Sequence, residues 1–235
     1  MDVRVLVHTP EPLRVLYTAA RTCYSAGRPS ELWEEAAASR ERMERLIRQI
    51  AESGHLSILE HVSFTFALEG LSRSASHQLV RHRLASYSQQ SQRYVKGPFP
   101  YVTPATWERA GGRLTQRYHQ AMADLNHLYE EAVAAAIPPE DARFVLPQAM
   151  TTNLTMTMNL RELIHVVGLR TCTRAQWEIR DLFERVRQAV GTVDPFLGSF
   201  LLTRCERLGY CDERESCGLY PTRSEVVPTS EKEGP

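Results

Sequence analysis

Val3, Val5 and Val7 alternate with Asp2, Arg4, Leu6 and His8 at the start of the chain, the period-two pattern of a short strand. Pro10 and Pro12 mark a turn and a helix start running toward Cys23. From Glu31 to Glu52, Ala, Glu and Arg dominate and predict one helix, with Gly54 as its stop. The clearest strand follows: Val62, Phe64, Phe66 and Leu68 share one face, and Ser63, Thr65 and Ala67 the other. Ser72 is placed to cap a helix from Arg73 to about Arg83.

From Leu114, apolar or aromatic residues recur at Tyr118, Ala121, Leu125, Leu128, Tyr129 and Ala132, the stripe of a long amphipathic helix. Pro138-Pro139 ends it, and Glu140 to Leu146 has room for one or two further turns. Thr151 to Met158 suits a strand through its threonines. Asn159 then caps a helix from Leu160 to about Leu169, and Ala175, Ile179, Leu182, Phe183, Val186 and Val190 give a second helical stripe. With no internal repeat and no obvious linker, the pattern predicts one α+β domain over residues 1–220 and a polar, disordered tail over 221–235.

Composition narrows the function classes. In 235 residues, 43% are hydrophobic and 24% charged, the ordinary globular range. A formal net charge of zero supplies no global field toward nucleic acid or membrane, so any anion site must be a local cluster. The opening residues lack the apolar stretch of a signal peptide, and no run approaches the roughly 20 apolar residues that span a bilayer. A reducing cytoplasm is the expected location. The five cysteines are Cys23, Cys172, Cys205, Cys211 and Cys217. Cys172, Cys205, Cys211 and Cys217 supply enough thiolates for a structural zinc, but without a Cys-x-x-Cys pair, free or packed thiols are the preferred reading.

The local cluster lies between Gln78 and Tyr94. Arg81-His82-Arg83 is followed by seven residues, then Ser91, Arg93 and Tyr94. Arginine forks match phosphate oxygens, and Ser86, Ser88, Gln89, Gln90 and Gln92 add neutral donors and acceptors suited to the edge of a base or flavin ring. If Gln78 to Arg83 ends a helix, Gln78 and His82 face one ligand across a turn, and Ser86 to Gln92 is a loop beside it. A generic basic tripeptide is more often a solvated helix face; here the adjoining polar run and further arginine-bearing segments weigh against that.

These residues resemble the signature of the flavin-dependent thymidylate synthases, an Arg-His-Arg, seven residues, Ser arrangement extended through Ser-x-Arg-Tyr. The segment from Gly54 to His61 (Gly-His-Leu-Ser-Ile-Leu-Glu-His) resembles a second motif of that family, and Arg143-Phe144-Val145-Leu146-Pro147 a third. Asn159-Leu160-Arg161, Leu169-Arg170 and Ala175-Gln176-Trp177-Glu178 resemble its C-terminal half, so the likeness covers roughly residues 1 to 200 in the same order. Ser88 is a departure, standing where many members carry Asn.

The resemblance implies a thymidylate synthase complementing protein fold, with a central twisted antiparallel or mixed sheet packed by long helices, assembling as a homotetramer with FAD at subunit interfaces. It implies flavin contacts from His55, Ser57, Arg81, His82, Arg83, Gln89, Asn159, Arg161 and His165. The nucleotide dUMP would meet Gln78, Arg81, Gln89, Gln90, Ser91, Gln92, Arg93, Arg143 and Arg170. Arg93 and Arg143 are the phosphate candidates, and Arg170 is the catalytic candidate, its fixed charge stabilising negative charge that develops on the uracil ring. Ser91 is assigned to positioning, because no base in the motif accepts its proton. NADPH as reductant and methylenetetrahydrofolate as one-carbon donor complete the implied reaction. Absence of a Gly-x-Gly-x-x-Gly fingerprint agrees with a family that lacks a Rossmann motif. Two other readings stay open: a nucleic-acid module using Arg73, Arg81, Arg83, Arg93 and Tyr94, and a flavoprotein of the same fold acting on another pyrimidine nucleotide.

Overall fold

The N-terminal alternation folds as strand β1 (Asp2–His8) in the computed structural model, which describes residues 1–37 and 39–226. Pro12 starts helix α1 (Pro12–Tyr24). The single helix expected from Glu31 to Glu52 is instead two, α2 (Pro29–Ala36) and α3 (Arg40–Glu52). Ser39 causes the division: its backbone is extended, and its hydroxyl accepts from the Arg42 N–H at 3.3 Å, capping a new helix. Gly54, at φ +84°, ends α3 in the left-handed conformation that glycine adopts without strain. A 3₁₀ turn (Leu56–His61) leads into strand β2 (Ser63–Ser72).

β2 carries the predicted faces, with Phe64, Phe66 and Leu68 fully buried. Each such side chain contributes about 1.5–3 kcal/mol relative to exposure. The buried set then slips from Leu68 to Leu71, three positions rather than two, and Gly70 (φ +74°) lies in the gap. The pairing shows the same inserted residue. The Thr65 and Thr157 hydroxyls meet at 2.9 Å and Leu160 N–H reaches Val62 O, whereas Arg73 N–H reaches Met150 O, one place out of that antiparallel register. β2 therefore carries a bulge, which turns the chain toward helix α4 (Arg73–Leu79).

Ser72 caps α4 as expected, accepting from Ala75 N–H at 3.0 Å. The helix stops at Leu79 and does not continue to Arg83, because the Tyr87 hydroxyl bonds the carbonyl oxygens of Leu79 (3.1 Å) and His82 (3.0 Å) and closes the chain into a turn. Nor is Ser86 to Gln92 wholly a loop: Ala85–Gln89 is strand β3, with Tyr87 and Gln89 half-buried and Ser86 and Ser88 exposed. Helices α5 (Ala105–Ala110), α6 (Gly112–Ala134) and α7 (Pro139–Ala142) follow, then a 3₁₀ turn (Arg143–Val145) and strand β4 (Thr151–Asn159). The chain finishes with α8 (Leu160–Arg170), α9 (Trp177–Val193), α10 (Pro195–Gly198), α11 (Arg204–Leu208) and α12 (Arg223–Val226). The strands form one four-stranded sheet in the order β1-β2-β4-β3, an α+β arrangement.

The chain divides into two compact units whose boundary cuts β1, β2 and β4 along their length. The first holds Met1–Val3 and Phe66–Met156. There Phe99, Tyr129, Ala142 and Met150 pack together, the two rings 5.7 Å apart. Helix α6 is long as predicted, but only Met122 and Tyr129 on it are buried, and Leu114 and Leu128 of the expected stripe are exposed. The second unit takes Arg4–Thr65 and the chain from Thr157. Ile179, Leu182, Phe183, Val186 and Val190 of the predicted stripe are fully buried on α9, whereas Ala175 lies before the helix and is half-buried.

In the segment assigned to a tail, Thr222 bridges to Cys211 and Arg223–Val226 forms α12; 227–235 lie outside the described residues. The zinc site suggested for Cys172, Cys205, Cys211 and Cys217 is corrected: among the described residues no group of His, Cys, Asp or Glu is arranged to hold a metal ion. Cys211 is buried in the bridge, Cys217 is exposed, and the Cys205 thiol lies 3.4 Å from the Thr203 hydroxyl. No described helix is long and apolar enough to cross a membrane.

Candidate active site

In the first unit the turn after α4 presents Arg81 and Arg83 on the surface, while Gln78 and His82 are half-buried. The polar residues that follow are partly engaged inside the fold. Gln89 donates through Nε2 to the hydroxyls of buried Ser76 (3.0 Å) and Thr152 (3.3 Å), and Gln90 accepts from Asn153 at 3.2 Å. The Ser91 hydroxyl accepts from Arg93 N–H at 3.1 Å, a local turn that fixes the backbone where the motif's last arginine departs. Gln92 is half-buried beside Ser91.

Arg93 and Arg143, far apart in sequence, meet at one residue. Arg93 Nε pairs with the Glu140 carboxylate at 2.7 Å, and Arg143 Nε donates to the Glu140 backbone carbonyl at 2.9 Å. The two phosphate candidates are thus brought together by α7. A third arginine joins them. Arg73 opens α4, half-buried, its N–H bonded to Met150 O, and Met150 packs with Ala142, the residue before Arg143. Burial first, then the Arg143 charge, pushes the Arg73 guanidinium below its ordinary pKa, and no acidic group opposes the shift. Sequence reasoning named Arg73 only for a nucleic-acid surface. The available signal was its place directly after the Ser72 cap, which fixes it at the start of a short helix.

In the second unit His55 and Ser57 are exposed on the 3₁₀ turn, with the His55 ring edge-on to Tyr24 at 6.5 Å. Glu60 of that turn forms an ion pair with Arg161, so two motif segments meet through the carboxylate of the first. Leu160 N–H to Val62 O, 2.7 Å, fixes the same junction. Asn159 Oδ1 caps α8 by accepting from Glu162 N–H at 2.9 Å, which leaves its amide nitrogen for another partner. Arg161 and His165 are both exposed one turn apart, as their spacing predicts, while Leu163, Ile164, Val166 and Val167 fill the core. Arg170, half-buried, is the last residue of α8. Glu162 is buried; that burial raises its carboxyl pKa above the usual range, with His165 opposing in part.

The fold and these residues define an α+β protein with clustered arginines on its surface. The sequence pattern of the family described as "thymidylate synthase complementing protein" matches residues 4–196. A flavin-dependent thymidylate synthase of Nitratidesulfovibrio vulgaris is 46% identical over 238 residues, covering 95% of this chain and 97% of the relative. That of Geobacter sulfurreducens is 48% identical over 198 residues, covering 83% and 84%. The crystal structure of the flavin-dependent thymidylate synthase of Helicobacter pylori complexed with FAD and dUMP is similar with TM-score 0.66 and 27% identity, covering 86% of this chain and 100% of that one. The chain belongs to the thymidylate synthase complementing protein family, the flavin-dependent thymidylate synthases.

Proposed function

We propose that the chain catalyses the reductive methylation of dUMP to dTMP with FAD as cofactor, methylenetetrahydrofolate as one-carbon donor and NADPH as reductant. Residues 1–220 constitute the catalytic domain, acting in the cytoplasm as a homotetramer. The observation that carries the reading is the convergence of Arg93 and Arg143 on Glu140 inside family motifs. Arg73 joins that set as a third phosphate ligand. A nucleotide monophosphate bears close to two negative charges, and three guanidinium groups with one carboxylate among them leave the charge deficit that it fills.

FAD suits the residues present: Arg81 and Arg83 are exposed cations for its diphosphate, and His55, Ser57, Asn159, Arg161 and His165 offer donors and acceptors for its polar edges. When bound and reduced, this cofactor supplies the hydride that the methylation requires. His82, Gln78, Gln89 and Gln90 orient the ring systems, with Gln89 itself held by Ser76 and Thr152. Ser91 and Gln92 position the nucleotide, and Arg170 holds positive charge at the uracil edge. Assembly draws support from Leu84, Tyr94 and Phe144, which are 73%, 77% and 84% exposed within or beside the motifs and suited to subunit contacts.

The test is a visible spectrum of protein supplied with FAD, followed through addition of NADPH and then of dUMP with methylenetetrahydrofolate. Bleaching of the flavin, recovery only with both substrates and appearance of dTMP are expected. Failure to take up FAD overturns the reading.

A further inference from the structure

The family match ends at residue 196, and the chain after it, with His165 and Leu169 of α8, builds a basic cavity of which the reading above uses only His165. The cavity, of about 420 Å³, belongs wholly to the second unit. His165 lines it from α8, Arg204 and Arg207 from α11, Tyr210 and Asp212 from the following segment, and Arg223 from α12. Leu169 and Leu208 add an apolar part to the wall. Its volume falls in the range of about 300–1,000 Å³ typical of small-molecule sites.

The sequence folds the cavity through two devices. Thr203 and Glu206 form a capping box that starts α11 and sets the spacing of Arg204 and Arg207 along it. The bridge between Cys211 and Thr222, with Arg223 N–H donating to Cys211 O at 3.1 Å, returns the chain so that Arg223 reaches the same wall. Arg204 is held by the Asp212 carboxylate at 2.5 Å. Arg207 and Arg223 have no carboxylate partner among the described ion pairs. Three guanidinium groups and one carboxylate leave an excess of two positive charges before His165 is counted. Concave walls concentrate that excess, whereas a solvated basic face spreads it.

We propose that this cavity binds a multiply charged anionic group, phosphate or clustered carboxylates, carried by a ligand other than the pyrimidine nucleotide. Arg207 and Arg223 make the direct ion pairs, Arg204 is oriented by Asp212, and the Tyr210 hydroxyl supplies a neutral donor. The apolar wall accepts the uncharged body of the ligand. This assignment rests on the second unit alone and stands whether or not the nucleotide reading holds.

Isothermal titration of the full chain with inorganic pyrophosphate, and separately with triglutamate, tests it. The same titrations are made on the variant carrying Arg207→Gln and Arg223→Gln. Expected are a saturable site for at least one probe in the unaltered chain and a tenfold or greater loss of its affinity, or loss of one site per chain, in the variant. Pyrophosphate alone binding marks a phosphate ligand; triglutamate alone marks a carboxylate ligand. Arg223→Gln by itself, at an exposed position, guards against misfolding of the double variant and should give a partial loss. Absence of binding by either probe, or equal binding by the unaltered and substituted chains, overturns the proposal.

Discussion

Arg73 allows a test in which ligand binding and apo stability move in opposite directions. Its guanidinium is half-buried beside Arg143 with no acidic group offsetting the cost, so the free protein is burdened by it. Removing the charge in Arg73→Gln should leave the apo melting temperature unchanged or raise it. Binding of dUMP should suffer, because a hydrogen bond to a charged group is worth about 1.5–3 kcal/mol, or about 10- to 150-fold in Kd. Take dUMP at about 100 times the unaltered Kd, where it stabilises by about 2.7 kcal/mol. A Kd weakened about 30-fold reduces that to about 0.9 kcal/mol. At about 2–4 °C per kcal/mol for a chain of this size, the dUMP-induced shift falls from about 5–11 °C to about 2–4 °C. Differential scanning fluorimetry with and without dUMP measures both numbers, and Arg73→Lys should recover part of the shift. A purely structural arginine would behave otherwise: the variant would melt lower while its dUMP shift stayed intact, and that pattern refutes the reasoning.

Three further outcomes are expected. Asn159→Ala should cost about 1 kcal/mol of stability through loss of the α8 cap, whereas Asn159→Asp keeps the cap oxygen and the stability; thermal melts in the absence of FAD separate these from any flavin effect. Glu162 has a folded-state pKa raised by burial, so the folded state binds the proton more tightly than the unfolded state and its stability falls as pH rises from the unfolded value through the folded one. Glu162→Gln should therefore gain stability relative to the unaltered chain near neutrality, a gain that vanishes in melts taken below the unfolded carboxylate pKa. The Cys217 thiol is drawn below its ordinary pKa by a hydrogen bond from the Thr173 side chain, then by the Leu219 backbone, so iodoacetamide near neutral pH should label Cys217 faster than exposed Cys23, as read by peptide mass spectrometry.

The fold was legible wherever one residue type both signals and causes an element. Ser72 and Asn159 start their helices because their side-chain oxygens take a free N–H, and β2 shows its alternation because one face is wholly buried. The errors came where a distant residue decides. Tyr87 ends α4 by bonding carbonyls that precede it in sequence, so the basic tripeptide lies in a turn that its own composition does not announce. β3 escaped notice because Ser and Gln carry little strand propensity, and its pairing with β4 overrides them.

The site divides the same way. Motifs name the arginines and, in Glu60, one acidic residue, but not the pairing of Glu60 and Glu140 with them, which arises only through folding. Glu140 pairs with Arg93 and Glu60 with Arg161, all four side chains roughly half exposed. Pairs so exposed are worth about 0–1 kcal/mol each. A contact to a phosphate inside an arginine cluster is worth more, so an arriving anion can displace the carboxylate at small cost. Each unit thus keeps an arginine of its family motif extended and aimed without binding it tightly. Neutralising Glu140 should on this argument strengthen phosphate binding at the cost of a less ordered Arg93, and the same logic applied to Glu60 makes Arg161 the second unit's exchangeable cation.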